Sequence, residues 1–392
     1  MDLLLKGLHW SNANGTIQGD LRIRKGLIIE IGKSLHPGGS DQTIHFDNHF
    51  VYPGLINSHD HLEMNLYPRL GHPPYENYMQ WGHDIYKPHE SPLREIEKID
   101  INDRLQWGGL KNLLSGVTTV VHHNPWKRIL ESRNFPVKVL KNFAWSHSLG
   151  FGKNIQNDFP KNQDKPFVIH AAEGLDALAF DEIIKLDELG VLKKNTVIVH
   201  AIALRQKEID ILASRQCAIV WCPESNLFLF RKTAKIDVLK KNIRTALGSD
   251  STLTGSPTLL DEMRCARQTG LASPREIFDM VSTIPAQIFG LPKPQFSPGA
   301  IADLMITPIL HRDYFENLQI VTPSNIEAIF LNGAPVYVDE KFAGPLPLKY
   351  QLKVNGIKKR TRLDFGSLRD RLKKKLGTEI LESNAIWKQV DS

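Results

Sequence analysis

The chain has 392 residues with 49 Lys+Arg against 43 Asp+Glu, a net +6, and at roughly 100–200 residues per domain it holds two or three domains. Residues 351–392 carry 11 basic and 5 acidic side chains, so they hold the whole surplus; the rest is formally neutral, which argues against a general nucleic-acid partner. With 41% hydrophobic and 23% charged residues, three cysteines and no apolar run near the ~18–20 residues of a membrane span, the composition excludes fibrous, disordered, disulfide-framework and membrane classes.

Residues 1–50 read as short strands, Leu3–Trp10 and Leu21–Ile31, around the turn-rich stretch Ser11–Gly15. From Val51 short apolar segments alternate with amphipathic ones. The expected strands are Leu55–His59, Val117–His122, Val137–Phe143, Phe167–His170, Val197–His200, Ala218–Cys222 and Thr245–Gly248. Asp181–Leu189, Gln206–Ser214, Leu259–Thr269 and Pro274–Phe289 carry helical periodicity. Such alternation predicts a parallel sheet with helical crossovers, and Pro53 to Phe296 matches the ~250 residues of a (β/α)8 barrel. Seven strands are visible. The eighth either hides in Lys153–Asp164 or the barrel is trimmed at strands three and four.

After Pro298 the strand texture returns with Ala302–Thr307, Ile326–Leu331, the hairpin-type Asn332-Gly333 and Pro335–Val338. The expected organisation is α/β: a TIM-like barrel over residues 54–298 and a composite β-sandwich from residues 1–53 and 299–350. Residues 351–392 form a basic tail, with a short helix at Ser367–Leu376 and a weak apolar anchor at Ala385–Val390. No signal-type leader follows Met1, so a reducing cytoplasm is the expected setting.

Four of the 15 histidines stand at expected strand ends. His59 and His61 are two apart and point to one side. His170 and His200 end later strands, and Asp250 follows Gly248-Ser249 at the end of the last. Catalytic groups of such barrels project from C-terminal strand ends. Three imidazoles and a carboxylate suit Zn²⁺ or Fe²⁺ with a position open for water. Taken singly, each of these residues is commoner as a turn, cap or packed core group.

Val51-Tyr-Pro-Gly-Leu-Ile-Asn-Ser-His-Asp-His61 resembles the first-strand motif of the amidohydrolase superfamily. His170-Ala-Ala-Glu173, Val199-His200-Ala, Leu247-Gly-Ser-Asp250 and Pro298-Gly-Ala-Ile-Ala-Asp303-Leu resemble later motifs of that family, in order. The chain is most similar to the branch of chlorotriazine hydrolases and guanine-, cytosine- and adenosine-type deaminases. The resemblance implies one divalent ion, zinc before iron, on His59, His61, His170 and Asp250, generating hydroxide at neutral pH. It implies Asp250 as proton acceptor, His200 as the group holding the hydroxide or oxyanion, and Glu173 as proton donor to the leaving or ring nitrogen. The implied reaction is C–N cleavage in a small molecule, deamination first, with amide, cyclic amide or amidine hydrolysis as the alternative. A catalytically silent relative is the remaining reading. No membrane partner is expected, and a homo-oligomer is implied by the family.

Two departures bear on substrate. Trp221 stands where deaminases of this family often carry His, and Arg231-Lys-Thr-Ala234 replaces a glycine-rich stretch. Trp81, His122, Trp221, Ser225 and Asn226 are candidates for substrate contact. His122 and His123 follow the second strand, where structural use is the favoured expectation. Asp60, between the two ligands, points to the opposite face.

Overall fold

The computed structural model describes residues 2–12, 15–152, 154–162, 164–344 and 346–390. Strands β1 (Asp2–Asn12), β2 (Gly15–Arg24), β3 (Leu27–Gly32) and β4 (Asp41–Pro53) open the chain; of the stretch Ser11–Gly15, Ala13 and Asn14 lie outside the described residues. Eight strands follow: β5 (Leu55–Asp60), β6 (Val117–His122), β7 (Lys138–Val139), β8 (Ala144–Trp145), β9 (Phe167–Ala171), β10 (Thr196–His200), β11 (Ala218–Trp221) and β12 (Arg244–Leu247). The chain then adds β13 (Leu304–Pro308), β14 (Ala328–Leu331), β15 (Ala334–Asp339), β16 (Tyr350–Val354) and β17 (Ile357–Thr361).

Strands β5 to β12 form two parallel sheets in sequence order, β5-β6-β7 and β8 through β12. Helices connect most of them, and strands β9 to β11 are buried along their whole length, as crossover helices on a parallel sheet require. The eighth strand is Ala144–Trp145, pairing with Phe167 and Val168 of β9. It lies outside Lys153–Asp164, and both β7 and β8 are cut to two residues. The expected strand Val137–Phe143 ends early at Val139, and Lys153–Asp164, apart from residues 153 and 163 outside the description, contains the short helix Ile155–Asp158. Two-residue strands leave no period-2 pattern to read.

The expected helix Pro274–Phe289 is two helices, Pro274–Met280 and Thr283–Ile288. Pro285 has no N–H to give the Val281 carbonyl four residues back. Ile56 N–H of β5 takes that carbonyl at 2.8 Å, so the break ties these helices to the first strand.

The chain ends build one nine-stranded sheet, in the order β16-β17-β15-β14-β13-β4-β1-β2-β3. The expected sandwich is therefore a single continuous ladder. It also reaches beyond residue 350 into the expected tail. Asn355 and Gly356 both have positive φ, the requirement of the tight hairpin turn that joins β16 to β17. Behind the hairpin, helices Phe365–Lys375, Thr378–Ser383 and Ala385–Val390 fold back on helix Ile101–Leu113 and the loop after β5. Arg371 makes a two-pronged contact with Asp103, at 2.8 Å through Nη2, and Trp387 packs on Trp107 with ring centroids 5.6 Å apart. Asn384 Nδ2 donates to the backbone carbonyl of Asn65 at 2.9 Å. The basic segment is thus built into the fold rather than appended to it.

Helix Ile101–Leu113 lies directly against the loop after β5, where a Cβ on Gly108 would stand 2.1 Å from the Leu62 carbonyl oxygen. Among the described residues no helix is long and apolar enough to cross a membrane.

Candidate metal centre and active site

The C-terminal ends of β5, β6, β9, β10 and β12, with the segment after β8, converge on one buried cluster. His59 and His61 come from the end of β5, His123 from just beyond β6, His147 from just beyond β8, His170 from β9, His200 from β10 and Asp250 from beyond β12. Close approach of β12 to β5 depends on Gly248, where a Cβ would meet the His59 Cβ at 2.6 Å. Asp250 N–H donates to the His59 carbonyl at 3.1 Å and fixes the two strand ends together.

The backbone at these ends is left-handed: Ala172, His200, Ala201 and Asp250 have φ of 55°, 75°, 52° and 53°. Non-glycine residues pay for that conformation, and such outliers gather at functional sites. Buried bonds hold them. Ala172 N–H donates to Glu182 Oε2 at 2.7 Å, and the Asp250 carbonyl accepts from the ammonium of Lys111. Lys111 is itself fully buried, with Asp60 Oδ2 at 3.3 Å and Ser249 Oγ at 3.0 Å. Asp60 also accepts from Asn65 and Asn112, both at 2.8 Å. A buried polar network beneath the cluster therefore connects β5, β12 and helix Ile101–Leu113.

The donor set suits a cation. His170 Nδ1 lies 2.7 Å from the His147 carbonyl, which can only accept, so its proton sits on Nδ1 and Nε2 presents a lone pair. That lone pair stands 3.1 Å from His59 Nε2. Burial first, then neighbouring imidazoles, push both rings well below their ordinary pKa, so neither is favoured as an imidazolium. A spacing near 3 Å is close to the edge of a polyhedron built on bonds of about 2.0–2.1 Å. Asp250 Oδ1 is 3.9 Å from Nε2 of both His59 and His61. Burial alone would raise the Asp250 carboxyl, but His61, His200 and hydrogen bonds from Ser251 and Ser225 bring it below the usual range. Its Oδ2 accepts from Ser225 Oγ and Thr254 Oγ1, both at 3.0 Å.

Glu173 and His200 form the second half of the site, with Oε1 3.5 Å from Nε2. Burial, then Asp250 and Glu182, raise the Glu173 carboxyl well above its ordinary pKa and favour its protonated form. His200 Nδ1 lies 2.9 Å from Asn226 Oδ1 and donates to it, which leaves Nε2 as an acceptor facing Glu173. Burial keeps His200 neutral despite the pull of Asp250.

Beside the cluster lies a cavity of about 760 Å³ reached by His61, His147, His170, Glu173, His200 and Asp250. The rest of its wall is mainly aromatic and apolar, with Tyr67, Tyr78, Trp81, Phe151, Ile101 and Leu93, and carries Glu63, Glu97 and Arg104 as charged groups. Trp81 is thereby on the cavity wall, with its Nε1 donating to the Leu70 carbonyl. The four other candidates for substrate contact stand behind the wall. Trp221 is buried, donating to Thr233 Oγ1 at 2.6 Å, and His122 faces Leu62 N and Glu63. Ser225 and Asn226 hold Asp250 and His200 instead of lining the cavity.

Sequence reasoning passed over His147 and Lys111 and favoured a structural role for His123. His147 carries the signal of the other site histidines, a position just past a strand end, and went unread because its strand is two residues long. Lys111 had no local signal: it is one lysine on a helix, and its burial depends on what packs over it.

A family model described as the amidohydrolase family matches residues 126–336, just over half of the chain. The chain is similar to the 5-methylthioadenosine/S-adenosylhomocysteine deaminase of Pyrococcus furiosus, 26% identical, with 83% of this chain and 92% of that protein covered. It is also similar to the 5'-deoxyadenosine deaminase of Methanothermobacter thermautotrophicus, 24% identical over 78% of this chain and 85% of that one. Among solved structures, an adenosine deaminase from Xanthomonas campestris with bound zinc shares the fold at a TM-score of 0.75 and 14% identity, covering 99% of this chain and 98% of its own. The atrazine chlorohydrolase of Arthrobacter aurescens, in complex with zinc, superimposes at a TM-score of 0.68 and 17% identity, over 85% of this chain and 95% of that one.

Proposed function

Since the chain belongs to the amidohydrolase family, we propose that it is a mononuclear metal-dependent hydrolase that deaminates a small amino-heterocycle. The observation carrying this reading is the grouping of His59, His61 and His170, with Asp250 3.9 Å from the first two, beside the Glu173–His200 pair at the 760 Å³ cavity. Those four side chains would hold a divalent ion, zinc before iron, which would lower the pKa of a water from 15.7 toward about 7. The catalytic steps then belong to the side chains. Asp250 accepts the proton the water gives up, and His200 Nε2, fixed as an acceptor by Asn226, orients its O–H. Glu173 delivers its proton to the nitrogen. The new C–O bond replaces the C–N bond, and the amine leaves as ammonia.

The relatives that act on adenosine-type compounds make 5'-substituted adenosines the first substrates to try. The long aromatic wall accommodates a substituent beyond the base. Hydrolysis of an amide, cyclic amide or amidine by the same groups is the alternative. Ammonia release across a panel of aminopurines, aminopyrimidines and aminotriazines, lost on chelation and restored by Zn²⁺, is the expected result. Turnover of cyclic amides with no ammonia from any amino-heterocycle overturns deamination.

The same reading treats strands β5 to β12 as one eight-stranded barrel with seams beside β7 and β12. It treats the terminal sheet as a separate composite domain. A reducing cytoplasm and a homo-oligomer accompany it, the latter measurable by light scattering.

A further inference from the structure

His123 is the buried group that this chemistry leaves unused. It follows β6, its backbone N–H donates to the Asp60 carbonyl at 3.0 Å, and its side chain has no solvent exposure. Its Nε2 lies 3.0 Å from the Ser146 carbonyl. A carbonyl only accepts, so the proton of this ring is on Nε2 and Nδ1 carries the lone pair. That Nδ1 is buried and has no partner among the described residues. An unmade bond in a dry interior costs about 1–3 kcal/mol, so an open ring nitrogen beside other imidazoles marks a place for a partner. Here one nitrogen is satisfied and the other is kept open.

The ring is placed among the proposed ligands. Its centroid is 4.5 Å from that of His170, 5.2 Å from His59 and 5.7 Å from His61. One donor nitrogen from each of His59, His61, His123 and His170 falls within a 4.8 Å group. We propose that His123 is a fourth imidazole ligand, so that the centre offers four nitrogens and the Asp250 carboxylate to one ion. The proposal rests on reading the cluster as a metal centre. It carries two chemical consequences. Five protein donors exceed the tetrahedral set of a simple zinc site and suit an ion that accepts five or six ligands. Four imidazoles also keep the ion in place while Asp250 carries a proton, so the carboxylate is free to serve as the base.

The test uses the full chain, stripped of metal and loaded with Co²⁺, whose visible bands strengthen as coordination number falls. His123→Phe keeps a ring against Trp145 and His170 but removes the donor. The expected result is a rise of about twofold or more in band intensity, because one ligand has gone. Affinity should fall as well, read by chelator competition. Unchanged bands overturn the proposal even if affinity falls, since losing an outer-shell partner already costs about 10–100-fold. Should the variant fail to fold, pulsed EPR on the Cu²⁺-loaded wild type counts imidazoles directly. Four support the proposal and three overturn it while leaving the deaminase reading intact. A wild type that takes up neither ion overturns both readings. Four imidazoles without ammonia release overturn only the reaction.

Discussion

Lys111→Met removes a buried ammonium and keeps the volume of the side chain. The substitution leaves Asp60, with no exposed side-chain surface, as a carboxylate facing three asparagine amides and no cation. Breaking one partner out of a buried ion pair costs about 3–5 kcal/mol. Against a total stability of about 5–15 kcal/mol, that is a large fraction of what holds the fold. The control is Lys141→Met, whose pairing with Glu131 is exposed and screened by water. Urea unfolding followed by tryptophan fluorescence compares the two, with Trp107 on the same helix as Lys111. Activity is a second readout. Lys111 also holds the backbone carbonyl of Asp250, so the surviving folded fraction should lose about tenfold or more in kcat, given that a 1 Å misplacement costs about a hundredfold. Unfolding of Lys111→Met at the same urea concentration as Lys141→Met refutes the reasoning.

Glu173→Gln keeps the shape of the side chain and removes its proton, so kcat should fall by about 10²–10⁴ with metal content unchanged, measured by ammonia release and elemental analysis. Burial holds the Glu182 carboxyl at about 7 and that of Glu262 at about 8, above the ordinary 4.5. The folded state therefore keeps protons that the unfolded chain has lost, and stability should decline from pH 5 to pH 8. Glu262→Gln should flatten that decline in urea titrations; an unchanged slope assigns it to other groups. Trp387→Ala should cost about 3–5 kcal/mol, the range for deleting a buried tryptophan. Removal of residues 351–392 should abolish both activity and solubility, whereas retention of DNA at low salt by the intact chain and not by the truncated one would point to a nucleic-acid role.

The parts of the fold with long periodic segments were legible in the chain. Val117–His122 and Gln206–Ser214 have the expected limits, because each is an uninterrupted apolar or amphipathic run between turn signals. Strands β7 and β8 were not, since two residues are enough to pair but too few to show alternation. The turn Asn355-Gly356 carried a hairpin signal of the same kind as Asn332-Gly333, yet the surrounding Lys and Arg residues masked it as a solvated tail. At the site, His59, His61, His170, His200 and Asp250 stood out through strand-end position and motif order. The Lys111–Asp60 network did not. Its members are separated by 50 residues or more in places, and it exists once helix Ile101–Leu113 closes over β5. The place of Trp221 differs from its candidacy for substrate contact for a related reason: period-2 alternation tells which face a residue takes, but not which face borders the cavity.

The contact between Asn384 and the Asn65 carbonyl has a consequence for how the molecule is made. The two residues are 319 positions apart, and the later one steadies the loop that brings Tyr67 to the cavity wall. At about 5–20 residues per second, a ribosome adds that stretch in roughly 15–60 s. During this interval the first strand and its histidines exist without the segment that closes over them. The loop cannot take its final form until Asn384 has been made, so the site matures late, and a nick that frees the helices after Asp364 returns it to that unfinished state.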